Sequence, residues 1–218
     1  MRAVFQLDAF GAQRFAGNPA AVVLLDCFPD DIIMQAIVAE NNLAETVFWV
    51  PESGDYRLRW FTPTLEVPLC GHAMLAIAAV LMGRLEPGRD SMTFRAPSGP
   101  LIVGQTGAGY IMNFPVRHSE PVSVPPGFAE ALGVVPIEVY ANTFNCTALL
   151  ERAQIVSMLT PGLAVIAGMD RSGVIVMAPS DGAYDFVSCY FAPSKKYSGR
   201  SCHRWRARHV GTLLGCAA

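Results

Sequence analysis

Two short stretches hold residue types that move protons. In Asn41-Asn42-Leu43-Ala44-Glu45-Thr46 a carboxylate stands where a helical pattern gives way to a β-branched and aromatic one. A carboxyl group sheltered from water at such a junction can take up and release a proton near neutral pH. A solvated loop carboxylate is the plain alternative. In Cys70-Gly71-His72 a thiol and an imidazole stand just ahead of an apolar run. If that run is a helix, its free N–H groups attract an anion such as a substrate carboxylate and favour a thiolate. Gly71 would let the backbone approach a ligand. Here the alternative is a small buried thiol and a cap-region histidine. Gly17-Asn18-Pro19 reads as an ordinary turn from its residue types alone.

Other chemistries lack their residues. The six cysteines show no CxxC spacing, and His118, His203 and His209 have no companion at metal-ligand spacing, which argues against a zinc site. GxGxxG, GxxxxGK[ST] and GxSxG are all absent from the sequence. Neither a metal nor a cofactor is expected.

The elements around these stretches alternate. Arg2–Ala9, Ala20–Leu25, Thr46–Val50 and Tyr56–Phe61 read as strands, and Asp30–Glu40, with Ile32, Ile33, Ala36 and Ile37 at helical spacing, as a helix. Ala73–Met82 is apolar on nearly every face and rich in Ala, Leu and Met. A helix of that kind must be enclosed, which predicts a sheet curled around it. Strands follow at Met92–Arg95, Leu101–Gln105 and Tyr110–Phe114. The Pro- and Ser-rich stretch Pro115–Gly127 reads as a linker between lobes. Beyond it come a helix near Phe128–Leu132, strands within Glu138–Leu150, a helix near Arg152–Leu159, and strands at Val174–Ala178 and Tyr184–Phe191.

Composition sets the outer bounds. The 218 residues are 52% hydrophobic and 16% charged, which excludes disorder over most of the chain. A net charge of −2 gives no reason to expect nucleic acid or an anionic membrane as partner. The longest apolar run is about half of a bilayer span, and no leader pattern opens the chain, so a cytoplasmic location is expected. Charge is unevenly spread. Up to Ser194, ten arginines face all eighteen acids, a net of −8; from Lys195 onward two lysines and four arginines stand without an acid, a net of +6.

Taken together, the motifs resemble the PhzF-like family of phenazine-biosynthesis isomerases, of the diaminopimelate epimerase fold. The matching pieces begin with Val4-Phe5-Gln6-Leu7-Asp8-Ala9-Phe10 and Gly17-Asn18-Pro19-Ala20-Ala21-Val22. Ala39-Glu40-Asn41-Asn42-Leu43-Ala44-Glu45-Thr46, Arg59-Trp60-Phe61-Thr62-Pro63-Thr64, Glu66-Val67-Pro68-Leu69-Cys70-Gly71-His72-Ala73 and Met112-Asn113-Phe114-Pro115 follow. Asp185-Phe186-Val187-Ser188 and Phe191-Ala192-Pro193 fit later. The resemblance implies an α+β fold of two lobes, each a curled, mainly antiparallel sheet around a central helix. It implies a proton shift without cofactor on a small carboxylic acid, as in the isomerisation of trans-2,3-dihydro-3-hydroxyanthranilate. Glu45 would carry the proton, with His72 and Cys70 as further catalytic candidates and Asn18, Gly71 and Ala73 lining the substrate. Cys70 matches the first of the two acid/base cysteines of epimerase and racemase relatives. A homodimer is compatible with the family.

The likeness fades at about Ser194. The motif Asp-Pro-x-Thr-Gly-Ser-Ala-His, which in the family opens the second lobe's enclosed helix, is absent. A one-nucleotide slip accounts for this: suitable codons for Lys196–Trp205, read one base later, give Asn-Ile-Pro-Glu-Asp-Pro-Val-Thr-Gly. The expected organisation is therefore a lobe at 1–115, a partial lobe at 116–194 and an out-of-frame basic tail at 195–218. Losing the enclosed helix would remove several buried side chains at roughly 1.5–3 kcal/mol each, against a usual net stability of about 5–15 kcal/mol. The chain as written is accordingly expected to be inactive. A non-catalytic remnant, or a pseudoenzyme that binds a small acid, is the alternative to an isomerase.

Overall fold

A computed structural model describes residues 3–193, apart from 12, 14, 16, 108, 115–116, 172 and 181–184, together with the backbone of 201–205. The chain forms two compact units, residues 1–115 and 116–217.

The first unit runs β1 (Ala3–Ala9), β2 (Asn18–Leu24), α1 (Asp31–Asn41), β3 (Glu45–Glu52), β4 (Asp55–Phe61), β5 (Glu66–Val67) and α2 (Gly71–Val80), then β6 (Ser91–Ala96), β7 (Gly99–Thr106) and β8 (Gly109–Asn113). Its eight-stranded sheet has the order β1-β2-β3-β4-β6-β7-β8, with β5 paired to β4. Pairing is antiparallel except for β2 with β3 and β4 with β6.

Side-chain alternation along the strands decides what each face of this sheet covers. Ala20, Val22, Val47, Trp49, Leu58, Trp60, Phe94, Leu101 and Val103 meet α2 in one buried cluster. Val23, Phe48, Val50 and Phe61 point the other way and pack on Met34 and Val38 of α1. Helix α2 is enclosed as its composition requires: Ala73, Met74, Ala76, Ile77, Ala78 and Val80 are all buried, and it packs against β1, β2 and β3. Its alanines let the strands approach it closely. The helix begins at Gly71, two residues before the apolar run, and Leu81–Leu85 continues it as a π-helical turn that residue types did not reveal.

The run after β4 is a scaffold for the start of α2. Arg59 grips Glu66 with both nitrogens, at 2.7 and 2.6 Å, and reaches Asp31 of α1 at 2.7 Å. Thr62 closes the reversal: its N–H donates to the Leu65 carbonyl at 2.8 Å and its hydroxyl accepts from the Leu65 N–H at 3.2 Å. Gln35 of α1 donates to the Thr62 carbonyl at 2.9 Å. Together these bonds fix where the chain leaves β4 and turns toward Cys70.

The second unit contains β9 (Glu120–Val122), α3 (Phe128–Leu132), β10 (Glu138–Ala141), β11 (Asn145–Leu149), α4 (Ala153–Met158), α5 (Leu163–Ala167), β12 (Gly173–Pro179), β13 (Phe186–Phe191) and β14 (Ser201–Trp205). Its sheet has the order β14-β13-β12-β11-β10-β9. The stretch read as a linker thus contains a strand: β9 pairs with β10, and Pro121, which has no N–H, is tolerated at the sheet's edge. Helix α5 is also additional to the sequence reading. Among the described residues of this unit the helices α3, α4 and α5 have five, six and five residues. Within the basic tail, read as out of frame from about Lys195, β14 pairs antiparallel with β13; residues 194–200 and 206–218 lie outside the described residues.

Among the described residues, no helix is long and apolar enough to cross a membrane.

Candidate active site

The site is built on the first unit's sheet and the first turn of α2. Glu45 opens β3 at the register position facing Ala20 of β2. It shares a sheet face with Val47 and Trp49, so its carboxylate lies on the side that covers α2. Cys70 is the residue before the first turn of α2, and His72 is the second residue of that helix.

These two elements bring three side chains together. The Nε2 of His72 lies 2.9 Å from Glu45 Oε2, with side chains only 10% and 15% exposed. On the other side of the ring, Nδ1 lies 3.3 Å from the Cys70 sulfur. Cys70 is buried. The 2.9 Å contact is ionic rather than a well-directed hydrogen bond, and neither Glu45 Oε2 nor His72 Nε2 has a hydrogen-bond partner. Each atom therefore meets the other and no further polar group among the described residues.

Burial by itself pushes the His72 imidazole down. The Cys70 sulfur and the Glu45 carboxylate outweigh it, and the ring holds its proton well above the ordinary 6.5. The Cys70 thiol moves up, first because it is buried and then because Glu45 is negative; His72 and the Ala73 amide act in the opposite sense. The imidazole thus stands between the thiol and the carboxyl group, so that groups able to give and to take a proton lie side by side in a sheltered site.

The first helical hydrogen bond of α2 runs from Met74 N–H to the Cys70 carbonyl. The N–H groups of Gly71, His72 and Ala73 therefore precede the helical ladder, and they stand beside the carboxylate–imidazole pair. An anionic substrate group would be held there.

The remaining candidates divide. Asn18 opens β2 on the same sheet face as Ala20, one strand over from Glu45. A Cβ on Gly71 would come within 3.3 Å of the Phe114 ring, so the helix start lies directly under that ring. The Ala73 side chain is fully buried in the α2 core, which leaves only its backbone to offer a ligand. Gly17 is more than a turn residue: an added Cβ would stand 2.5 Å from the Ala9 carbonyl oxygen, so only glycine lets the chain pass there into Asn18. The nearness of Cys70 to His72 follows from their spacing, and the family resemblance grouped both with Glu45; strand pairing and helix packing set the order in which Glu45 meets them.

Glu45, Cys70 and His72 also form a possible cation cage, since one donor atom from each lies within 4.8 Å of the other two. Cysteine spacing alone did not anticipate it, because the carboxylate comes from a different element.

Comparison with known proteins places this chain in a family. The PhzC-PhzF family, described as phenazine biosynthesis-like protein, matches residues 7–196. The chain belongs to that family. An uncharacterized isomerase of Pseudomonas aeruginosa is 44% identical over 191 residues, covering 88% of this chain and 73% of the relative. A crystal structure of a PhzF-family phenazine biosynthesis protein from Enterococcus faecalis superposes with a TM-score of 0.82 at 38% identity, covering 88% of this chain and 74% of that one. A probable proline racemase from Agrobacterium radiobacter, 9% identical with a TM-score of 0.53 over 80% of this chain and 67% of its own, shares the fold alone. The PhzF-like chain is therefore a member of an isomerase family with an α+β, epimerase-like fold.

Proposed function

We propose that the protein is a cofactor-independent isomerase that shifts a proton on a small carboxylic acid, in the manner of trans-2,3-dihydro-3-hydroxyanthranilate isomerisation. The observation that carries this reading is the 2.9 Å contact between Glu45 and His72 in a site that is nearly closed to water. Glu45 removes a proton from one carbon and returns it to another. His72 holds Glu45 in place and, as an imidazolium, stabilises negative charge that develops on the substrate. The N–H groups of Gly71, His72 and Ala73 receive the substrate carboxylate, with Asn18 nearby on the same face. Cys70 sets the ring orientation of His72 through Nδ1.

The segment from about Lys195 is read as out of frame, so this activity is assigned to the chain with its frame restored, and the 218-residue chain is expected to turn over little. The jump from −8 to +6 in charge and the end of the family match at 196 support that reading.

The test is turnover of trans-2,3-dihydro-3-hydroxyanthranilate by the frame-restored chain and its Glu45→Gln variant. The variant should lose about 10²–10⁴-fold in rate while still binding the substrate. A variant that binds but matches the parent's rate removes Glu45 from the mechanism. A restored parent that binds and never turns over favours the pseudoenzyme reading.

A further inference from the structure

We propose that Glu45, Cys70 and His72 form a binding site for a borderline-soft divalent cation of the zinc class. The donors are a thiolate, an imidazole and a carboxylate, the set that such a cation prefers. They lie within 4.8 Å of one another. The Cys70 sulfur and His72 Nδ1 are already 3.3 Å apart. Two ligands on one tetrahedral zinc, with bonds of about 2.3 and 2.0 Å, stand about 3.5 Å apart. Cys70 and His72 therefore present a chelating pair, and Glu45, with a donor within 4.8 Å of both, completes the set by moving toward them.

The site is sheltered: the His72 side chain is nine-tenths buried, and beyond their mutual 2.9 Å contact neither Glu45 Oε2 nor His72 Nε2 makes a hydrogen bond. Rigid elements hold all three donors, one at the start of β3 and two at the start of α2. The positive end of α2 opposes a cation. Two anionic ligands offset this, because the thiolate and carboxylate together cancel the charge of a dication. Binding releases the thiol proton and the Nδ1 proton, leaves a fourth position open, and withdraws Glu45 from His72 Nε2. The bound cation and the proton-carrying arrangement use the same lone pairs, so they exclude one another. The proposal concerns binding alone and stands whether or not the protein is an isomerase.

The test uses the purified 218-residue chain, stripped of metal, with Zn²⁺ followed by equilibrium dialysis and Co²⁺ followed by its thiolate charge-transfer band in the near ultraviolet. The expected result is a Co²⁺–thiolate band in the parent that disappears in Cys70→Ser, with Zn²⁺ affinity falling about tenfold or more in both Cys70→Ser and Glu45→Gln. Circular dichroism checks that each variant is folded, and Cys70→Ala replaces the serine variant should that one not fold. A band that survives removal of the Cys70 thiol, a parent that takes up no cation, or an affinity unchanged by Glu45→Gln overturns the proposal.

Discussion

The two units repeat one strand arrangement and fill it differently. In the first, β1 pairs antiparallel with β2, β2 parallel with β3 through a helical crossover, and β3 antiparallel with β4. In the second, β10, β11, β12 and β13 repeat that series, with α4 and α5 in the crossover. The registers correspond as well: the parallel pair opens with Ala20 facing Glu45 in one unit and with Asn145 facing Gly173 in the other. Where the first unit places a carboxylate, the second has no side chain. The space beside Gly173 is taken by the ring of Tyr190, whose hydroxyl donates to Asn145 Oδ1 at 3.3 Å. Tyr190 pairs with Ile175 as Trp60 pairs with Val47. Among the described residues the topology is common to both units, while at this register position a carboxylate stands in the first unit and a glycine in the second, so a shared fold does not carry a shared side chain.

The largest expected effect comes from forcing the second unit to imitate the first. In Gly173→Glu the new Cβ would stand 2.5 Å from the Tyr190 ring, and a charge would be buried without a partner. A loss of about 3–5 kcal/mol is expected from urea unfolding. A loss below about 1 kcal/mol would show that the second unit accepts a side chain at this position and would erase the distinction between the two positions.

Gly17→Ala comes next. Its Cβ meets backbone atoms of β1, which cannot swing aside as a side chain can, and a loss of about 1–3 kcal/mol is expected. An unchanged thermal midpoint would show that the loop before Asn18 moves freely.

The third prediction concerns pH. The folded His72 holds its proton above the ordinary 6.5, so between 6.5 and its folded value the native state binds more protons than the unfolded one. This stabilisation is complete below about pH 6.5 and fades as pH rises through the folded value. The stability gap between parent and His72→Gln should therefore narrow from acidic toward alkaline pH. A gap that widens with pH would reverse the assignment of imidazolium beside carboxylate.

Arg59→Ala is the smallest. It removes the two-pronged grip on Glu66, a partly exposed pair, and should cost about 0.5–1 kcal/mol. A loss several times larger would mean that this clamp, and not the α2 core, holds the first unit's site in place.

Much of this architecture is legible in residue types. The all-round apolar run after His72 required an enclosed helix, and the alternation in Tyr56–Phe61 gave a strand with Arg57 and Arg59 on the side away from α2. What could not be read depends on partners distant in sequence. Pro121 disguised an edge strand as a linker, because its pairing with Tyr140 leaves no local signature. Gly17 looked like an ordinary turn glycine, because the Ala9 carbonyl it must clear belongs to another strand. Glu45, Cys70 and His72 were each suspected, but their order along one imidazole ring is set by how α2 lies on β3.

The most direct measurement is the fate of the proton that Glu45 is said to carry. Substrate deuterated at the carbon that loses its proton, turned over in ordinary water by the frame-restored chain, should carry that deuterium to the protonated carbon, as read by mass spectrometry, and Glu45→Gln should transfer almost none. Deuterium transfer at the parental rate in Glu45→Gln would contradict the account.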